Sequence, residues 1–596
     1  MRRGPAVLLL LILLAAAAYG AQRAMADGWK RLTGFAPIYL KAPRPSTGSP
    51  QLAGRLVLVI VPGLRTDDAP FLPTLDWLRR QGAGLTLSVP APGYPVPAAA
   101  TLLSGALPRN HGVLPGPVRR ALPVDSLPAA VQRVKLTTGG VGDADLGALV
   151  GSAAGTWLDA DTPAKIAEAA RALLAPSGPR LIILGLDGFH LQTHKLGSAD
   201  RSQPEYRDAL ADLDALLVDA LAPVDLKTTA VVVVGTAATG ADGRHRLEQP
   251  VPLIMAGAGI RKDYRGAASL VDVASTAAAL LGAPAPLQSS GRPLVEALQV
   301  DGRQADVLMQ RNLAVRKAFT DATLQSLGVA EPVADPPGTA TEAPAYVGAL
   351  EQRVQEAQFA LWKTLLVQRL PYLGGALLVL LLYLFVALRQ PFGGPLLLGI
   401  LTYQVVFHGL FFLWGGRYSA AMVGLEHMER TLPAGLGLRT AIGMTVAVVV
   451  TGFFLSRRNF KHGPYLSAAT LHMVLSTCAV VALPVVGALV FVGWDFPVAL
   501  PAPGLLVWYF VAALQVVVIG YMGLIWAMIA VWSARFSRRV WPRKEIGDPE
   551  VNADKVVRAR ALRRSVRTQR PPGPQAGRRG RSHRKGEIGG ALTDDP

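Results

Sequence analysis

The sequence predicts an α/β domain with a mostly parallel sheet, joined to a carboxy-terminal bundle of transmembrane helices. Strand-like and helix-like segments alternate over residues 52–298, which is typical of an α/β domain. Five long apolar runs fill the second half of the chain. Hydrophobic residues make up 51% of the 596 residues and charged residues only 17%, a balance that favours a membrane protein.

The amino terminus has the composition of an export signal. Its first three residues give a basic start, and Ala6 to Tyr19 form a short apolar core. Ala24-Met25-Ala26 has the small residues of a signal-peptidase site, so residues 1–26 are predicted to be a cleaved signal peptide or an uncleaved signal anchor. Arg23 weakens the cleavage alternative. Under either alternative the chain that follows is exported.

The α/β domain, residues 52–298, follows a linker over residues 27–51 that contains proline, serine and glycine. Asp161-Thr162-Pro163 has the capping residue and first-turn proline that start a helix. Glu205 to Leu221 is amphipathic, with leucines on one helical face. The strand candidates are apolar runs near turn residues: Leu56–Val61, Val134–Thr138, Arg180–Leu186, Ala230–Val234 and Val251–Ala256.

The rest of the chain is predicted to reach and cross a membrane. Residues 299–345 are expected to form a helical segment and a Pro/Ala linker, residues 346–371 a juxtamembrane amphipathic helix, and residues 372–533 five transmembrane helices. Most of the apolar runs approach or exceed the about 20 residues that a spanning helix needs. These runs are Leu373–Leu388, Pro395–Trp414, Thr440–Leu455, Ala468–Trp494 and Gly504–Trp532.

Basic residues between the apolar runs predict the sidedness. With the amino terminus inside, Arg389, the turn at residues 457–461 and the tail are cytoplasmic, in agreement with the positive-inside rule. Residues 52–298 then lie on the outer face of the inner or plasma membrane. The tail, residues 534–596, is predicted to be largely disordered. From Arg535 onward it has 17 Lys/Arg against 7 Asp/Glu, a net of +10 within the chain's +19. We expect it to contact anionic lipid headgroups rather than nucleic acid.

Two segments of the α/β domain carry recognisable motifs. Arg55 to Arg65 is an apolar strand that runs into a glycine turn, and Pro95 to Gly105 is followed by Asn110-His111-Gly112. Together they resemble the opening of the alkaline phosphatase superfamily, in its type I phosphodiesterase/nucleotide pyrophosphatase branch. The resemblance covers about residues 52–298 and implies an alkaline-phosphatase-like three-layer sandwich.

The resemblance also implies where chemistry would lie. Members of this family hold two divalent metals, usually zinc, which clamp the oxygens of an in-line displacement. One metal and the nucleophile would involve the positions of Pro62, Pro95, Thr236 and Ala237, with the nucleophile at Pro95. Proline and alanine have no side-chain donor, and threonine is a poor substitute for a carboxylate. We therefore expect no catalytic residues and no first metal.

The second metal of the family would fall on three histidines, His190, His194 and His245. Three imidazoles can hold one Zn²⁺ and leave a fourth position open. The alternative is that His194 and His245 are inherited remnants and His190 is a drifted residue on a polar loop. Asp187 lies three residues out of register, and a shift of its loop would recruit it. The single cysteine, Cys478, lies in an apolar run and excludes a thiolate metal cluster.

Other side chains near the expected nucleophile offer further alternatives. Asp67 and Asp68, just past the first strand, are either a displaced carboxylate or solvated loop acids. Ser88, Thr101 and Ser104 are nearby hydroxyls, which the family pattern places in the preceding strand or the following helix.

These observations give two main hypotheses of function. The first is a membrane-anchored pseudoenzyme that binds an unknown ligand or protein of the cell envelope. The alternative is an active metal-dependent phosphodiesterase or phosphoethanolamine-type transferase that uses a residual single-metal site. A transporter formed by the spans has little support, because the spans carry almost no ionisable residues and no obvious pair of broken helices.

Overall fold

The computed structural model describes most of the chain between residues 3 and 540. The described residues are 3–38, 40, 51–91, 93–118, 120–237, 249–414, 416, 418, 432–457, 463–493, 500 and 503–540. The chain divides into two compact units, residues 1–532 and residues 533–596. The first unit holds the sheet and the helices around it. Of the second unit, residues 533–540 are described, and they are helical.

Eight strands within the described residues form one mostly parallel sheet. The strands are β1 (Arg55–Pro62), β2 (Ala83–Ser88), β3 (Thr138–Gly142), β4 (Thr156–Asp159), β5 (Leu181–Gly185), β6 (Thr229–Thr236), β7 (Val251–Gly257) and β8 (Tyr264–Ser269). Their order is β4-β3-β5-β1-β6-β7-β2-β8, and β7 runs antiparallel to β6 and β2. Every residue of β1 after Arg55 is buried, as expected for an apolar strand covered on both faces.

Helices cover both faces of this sheet. The amino-terminal helix, α1 (Arg3–Thr33), belongs to the membrane region. The helices of the α/β domain are α2 (Pro73–Gln81), α3 (Pro95–Ser104), α4 (Pro108–His111), α5 (Leu127–Arg133), α6 (Ala144–Val150), α7 (Pro163–Leu173), α8 (Gly188–Leu196), α9 (Pro204–Leu221) and α10 (Asp272–Leu280). Even-numbered residues of β1, from Leu56 to Ile60, form a core with α3, α5, α6 and α10. Odd-numbered residues, from Val57 to Val61, form a second core with α2, α7 and α9. The predicted three-layer α/β sandwich is confirmed.

The sequence-based prediction places one strand too early. It expects a strand at Val134–Thr138, whereas β3 begins at Thr138 and is preceded by a turn in which Lys135 has a φ of 63°. β3 has no apolar pattern because three of its five residues are glycine. The glycine at position 140 is explained by the packing of Trp157 of β4, since a Cβ on Gly140 would lie 2.5 Å from Cζ3 of Trp157. β2, β4 and β8 also lack an apolar run long enough to predict them.

Two long helices connect the domain to the membrane region. α11 (Gly302–Ser326) begins with a capping box between Asp301 and Gln304. α12 (Ala343–Leu388) is a single helix of 46 residues. The predicted juxtamembrane helix, residues 346–371, and the first predicted span are therefore one element. Pro371 lies inside α12, because a proline removes one backbone hydrogen bond without always ending a helix.

Four further helices follow: α13 (Gly393–Leu413), α14 (Leu432–Arg457), α15 (Gly463–Phe491) and α16 (Pro503–Val540). Among the described residues, six helices are long and apolar enough to cross a membrane, namely α1 and α12 to α16. Inward-facing rings such as Tyr403, Phe407 and Phe411 are fully buried, while many other large apolar side chains are exposed. The predicted carboxy-terminal set of membrane-length helices is confirmed.

The amino-terminal helix packs inside this bundle. Ala18 is fully buried, and Gly520 of α16 allows the two backbones to approach, since a Cβ on Gly520 would lie 2.5 Å from the Ala18 Cβ. Tyr521 Oη donates to Gln22 Oε1 at 2.7 Å. α1 also runs unbroken through the candidate cleavage site to Thr33.

Replacing Gly520 with leucine tests the packing of α1. We expect Gly520→Leu to lower the midpoint of thermal unfolding by several degrees, because overpacking a close helix contact costs about 1–3 kcal/mol. Gly409→Leu on α13 is the matched control, since a Cβ at Gly409 meets no atom within 4 Å. Thermal unfolding of both variants in detergent measures the difference. Equal midpoints for the two variants would show that α1 does not pack against α16.

Candidate functional site

Four parallel strands end side by side at one edge of the sheet. The register of β1 pairs Ile60 with Gly185 of β5, and Pro62 with Thr236 of β6. β3, on the far side of β5, ends at Gly142. Ligand sites of open α/β sheets lie at the carboxyl ends of the strands. The loops that leave these four strands therefore define the candidate site.

The loops at this edge enclose a cleft of about 320 Å³. Its walls come from β1, α3, the loop at residues 115–118, the start of α6 and the segment from β5 into α8. The lining residues are Ile60, Pro62, Tyr94, Pro95, Val96, Ala99, Pro115, Gly116, Pro117, Val118, Asp143, Asp145, Leu146, Leu149, Gly185, Leu186, Asp187, His190 and Leu191. Pro62 and Pro95 thus line one cleft, although 33 positions separate them in the sequence.

Pro62 ends β1 without losing a ladder hydrogen bond. Even-numbered residues of β1 bond to β5, where Leu186 N–H donates to Ile60 O at 2.9 Å, whereas Gly63 N–H donates to Thr236 O of β6, also at 2.9 Å. A donor at position 62 would point toward β5, whose pairing with β1 has already ended. The chain then turns at Gly63, whose φ of 84° favours glycine.

Pro95 occupies the first position of α3, where the missing N–H of proline costs no hydrogen bond. His111 supports the helix from behind. Its Nδ1 accepts from Val113 N–H at 3.0 Å, which leaves Nε2–H to donate to Thr101 Oγ1 at 3.1 Å. Burial lowers the pKa of His111 to about 3, so the ring is neutral at physiological pH. The Asn110-His111-Gly112 motif therefore holds α3 in place.

The hydroxyls considered as replacement nucleophiles lie elsewhere. Thr101 bonds to His111, Ser104 Oγ donates to Ala100 O at 2.6 Å, and Ser88 Oγ donates to Ala268 O at 3.4 Å. None of the three lines the cleft, and among the described lining residues Tyr94 alone carries a hydroxyl. Among the described lining residues there is no serine or threonine side chain to act as a nucleophile.

Asp67 and Asp68 belong to a charged cluster that lies outside the described cleft lining. Asp68 is fully buried, and Tyr206 Oη donates to its Oδ2 at 2.6 Å. Arg65 and Arg201 lie beside both carboxylates, with Arg201 Nη2 at 2.9 Å from Asp67 Oδ2. Burial raises the pKa of Asp68 despite these partners. Asp67 and Asp68 thus connect the loop after β1 to Arg201 and to Tyr206 at the start of α9. These contacts indicate a structural role for both acids rather than that of a displaced carboxylate.

The first metal set of the resembled family does not fit the side chains present. Pro62, Pro95 and Ala237 have no donor atom, and Thr236, which is fully buried, has one hydroxyl. Ala237 is also buried and has a φ of 50°, a backbone region that residues with a Cβ rarely adopt. No metal-dependent step is assigned to these four positions.

His190 and His194 lie one turn apart on α8, but their surroundings differ. His190 is buried and lines the cleft, whereas His194 is exposed and is absent from the described lining. Their ring centroids are 5.9 Å apart. His245 lies outside the described residues. Within the described residues, no three His, Cys, Asp or Glu side chains are grouped so that they can hold a metal ion. The three-histidine zinc site stays a prediction.

Three carboxylates line the cleft, and the sequence did not single out two of them. Asp143 caps α6 by accepting from Leu146 N–H at 2.8 Å, and Asp145 accepts from Val118 N–H at 2.9 Å. The signal for both is an acidic pair directly after β3. It goes unnoticed because β3 has no strand pattern, so nothing in the sequence places the end of β3 at the same sheet edge as the end of β1.

Asp187 is the third carboxylate of the cleft. It stands at the N-cap position of α8 but makes no capping hydrogen bond with its side chain. Burial, and then the charges of Asp143 and Asp145, raise the pKa of Asp187 to about 6. Burial likewise raises the pKa of Asp143. The cleft is therefore a site of concentrated negative charge at neutral pH.

Comparisons with known proteins find similarity to solved structures. No family model and no curated protein matches the chain. The chain is similar to a 2-O GAG sulfatase, at 16% identity and a TM-score of 0.33, over 41% of this chain and 73% of that one. It is also similar to murine ectonucleotide pyrophosphatase/phosphodiesterase 5 in complex with AMP, at 12% identity and a TM-score of 0.33, over 41% of this chain and 100% of that one.

A third similar structure is an alkaline phosphatase superfamily protein from Vibrio parahaemolyticus. It shares 12% identity at a TM-score of 0.32, over 48% of this chain and 80% of that one.

Removing the charge of Asp187 is expected to stabilise the protein at alkaline pH. A carboxyl whose pKa is raised on folding lowers stability as pH rises from the unfolded value, 3.8, through about 6. Asp187→Asn should therefore unfold at a higher temperature than the wild type above pH 6, by the equivalent of about 1–3 kcal/mol. The gap should close as pH falls toward 4.

Thermal unfolding from pH 4 to pH 8.5 measures this difference. The control is Asp161→Asn, because Asp161 is exposed and its hydrogen bond with Lys165 lowers its pKa. That variant should gain no stability at alkaline pH. A constant gap between Asp187→Asn and the wild type across the whole range would contradict the raised pKa.

Proposed function

We propose that residues 52–298 form a membrane-anchored pseudoenzyme domain of the alkaline-phosphatase-like type. Its cleft binds a ligand or a protein segment of the cell envelope without cleaving it. The observation that carries the proposal is the presence of Pro62 and Pro95 in the wall of one cleft. By resemblance, these two positions are those of the metal-binding carboxylate and the nucleophile.

Losing both groups removes two large contributions to catalysis. A nucleophile divides the displacement into easier steps, and metal ions stabilise the charge that develops on the reacting oxygens. Among the described lining residues only Tyr94 offers a hydroxyl, and neither proline can bind a metal through its side chain. A scaffold without these groups supports binding rather than turnover.

The charge of the cleft also opposes a phosphate ester. Asp143, Asp145 and Asp187 would face any anion placed between Pro62 and Pro95. Two like unit charges 4 Å apart repel by about 4 kcal/mol at an effective dielectric constant of 20. Active members of the resembled family overcome such repulsion with two metal ions, and the first metal set does not fit this chain.

The membrane-length helices support a lipid bilayer as a partner of the chain. The proposal places the domain on the extracytoplasmic face and the basic tail, residues 534–596, on the cytoplasmic face against anionic lipid headgroups. The distribution of arginine and lysine along the sequence supports this orientation. It also makes an envelope ligand accessible to the cleft.

One observation favours the alternative, an active metal-dependent phosphodiesterase or phosphoethanolamine-type transferase. His190 lines the same cleft as Asp187, so an imidazole and a carboxylate are both present near the expected second metal. A zinc ion held by His190, His194 and His245 would supply a Lewis acid. In that case His190 would orient the bound group, and Asp187, with its raised pKa, would accept or hold a proton.

An assay of hydrolysis separates the two functions. The full-length protein in detergent is offered an aryl phosphodiester, an aryl phosphomonoester and an aryl sulfate, each with zinc or manganese. We expect no turnover above that of the metal alone, because the nucleophile and the first metal set are missing.

The variants identify the source of any turnover. Val96→Trp narrows the cleft at a half-exposed lining position, and Val218→Trp on α9 adds the same bulk at an exposed position outside the cleft lining. Turnover that is lost in Val96→Trp and in His194→Ala, but retained in Val218→Trp, would establish the alternative. Turnover that is unchanged in all three variants would come from a contaminant and would agree with the proposed pseudoenzyme.

A further inference from the structure

We infer, on the basis of the proposed function, that the cleft binds a cationic ligand, a protonated amine on a compact apolar body. This chemistry differs from that of a phosphate ester, for which the resembled scaffold is built. The cleft supports it through its three carboxylates, its apolar walls and its position beside the membrane bundle.

The negative charge has no positive partner among the described lining residues. Asp143, Asp145 and Asp187 line the cleft, and no lysine or arginine does. Asp143 and Asp145 each accept one backbone N–H, while the Asp187 side chain makes no capping bond and no ion pair within the described residues. An ammonium group donates three hydrogens, which matches a pocket with several free carboxylate lone pairs.

In the absence of a ligand, the partly buried carboxylates of the cleft are energetically unfavourable. Partly removing a carboxylate from water is unfavourable unless a cation or a donor replaces the lost water. Burial, and then the charges of Asp143 and Asp145, raise the pKa of Asp187, and the described lining residues include no lysine or arginine beside it. A bound cation would lower the pKa of Asp187 and remove the repulsion among the three acids.

The walls favour an organic cation over a metal ion. Most of the lining is aliphatic or proline, including Val96, Ala99, Pro117 and Leu191. A volume of about 320 Å³ falls in the range of small-molecule sites, about 300–1,000 Å³. Strongly hydrated metal ions need several fixed oxygen or nitrogen donors, and the described residues hold no group of three that can bind one.

The cleft wall continues into the segment that contacts the membrane bundle. Leu114 packs against the buried core of the bundle, and Leu500 N–H, between α15 and α16, donates to Arg109 O at 2.9 Å. The ring of Phe35 lies so close that a Cβ on Gly112 would be 2.2 Å from it. Residues 115–118 follow directly and line the cleft. The amine therefore has two candidate sources, the solution and a lipid of the bilayer.

Calorimetry on the full-length protein in phosphatidylcholine nanodiscs tests the ligand class. The probes are 2-phenylethylamine, 2-phenylethanol and phenylacetate, which share one apolar body and differ in charge. We expect the amine to bind at least about tenfold tighter than the alcohol, and phenylacetate to show no binding, since about 1.4 kcal/mol of charge interaction corresponds to tenfold. Asp187→Asn should weaken amine binding by a similar factor, and exposed Asp161→Asn should not.

A second arm separates the two sources of the amine. Nanodiscs doped with a single-chain lipid amine either compete with 2-phenylethylamine, which assigns the ligand to the bilayer, or do not, which assigns it to solution. Both results support an ammonium site. Equal affinity for the three probes, tighter binding of phenylacetate, or the same loss in Asp145→Asn, Asp187→Asn and Asp161→Asn would overturn it.

The inference and the proposed function can fail separately. Absence of amine binding together with absence of hydrolysis rejects the ammonium ligand and leaves the pseudoenzyme in place. Metal-dependent hydrolysis that is lost in Val96→Trp rejects the pseudoenzyme whatever the amine binds.

Discussion

The parallel pairing of β1 with β5 and β6 is the constraint on which the rest of the domain depends. It places an apolar strand at the centre of the sheet, and the alternation of its side chains supplies both hydrophobic cores. It also fixes which residues meet at the carboxyl edge, because the register that joins Leu56 to Ala230 of β6 brings Pro62 opposite Thr236. A slip of one residue would exchange the two faces of β1 and bury the wrong side chains.

The same pairing explains why Pro62 and Pro95 are compatible with the fold. Pro62 stands where β5 has left the ladder, and Pro95 stands at the first position of a helix, so neither proline interrupts a backbone hydrogen bond. The supports behind them are intact: the turn at Gly63 and the neutral His111 under α3. The side chains at these two positions can therefore vary without a loss of backbone hydrogen bonds.

Much of the fold follows from the sequence, because β1, the helix starts and the apolar runs are local patterns. The long-range features do not. β3 is hidden by glycines that make room for Trp157, and α12 continues through Pro371. At the site, the sequence places Pro62, Pro95 and His190 at the cleft, since strand ends and helix starts position them. It misses Asp143 and Asp145, because their place depends on where β3 ends. It also cannot separate buried His190 from exposed His194, because that difference arises from how α8 packs against β1.

We propose that the cleft works without a bound metal. The zinc content of the full-length protein, measured by elemental analysis after exposure to zinc and desalting, is the most direct test. The wild type should be compared with His190→Ala, His194→Ala and His245→Ala. We expect a content far below one zinc ion per chain in all four proteins. A content of about one zinc ion per chain in the wild type, lost in each histidine variant, would contradict it.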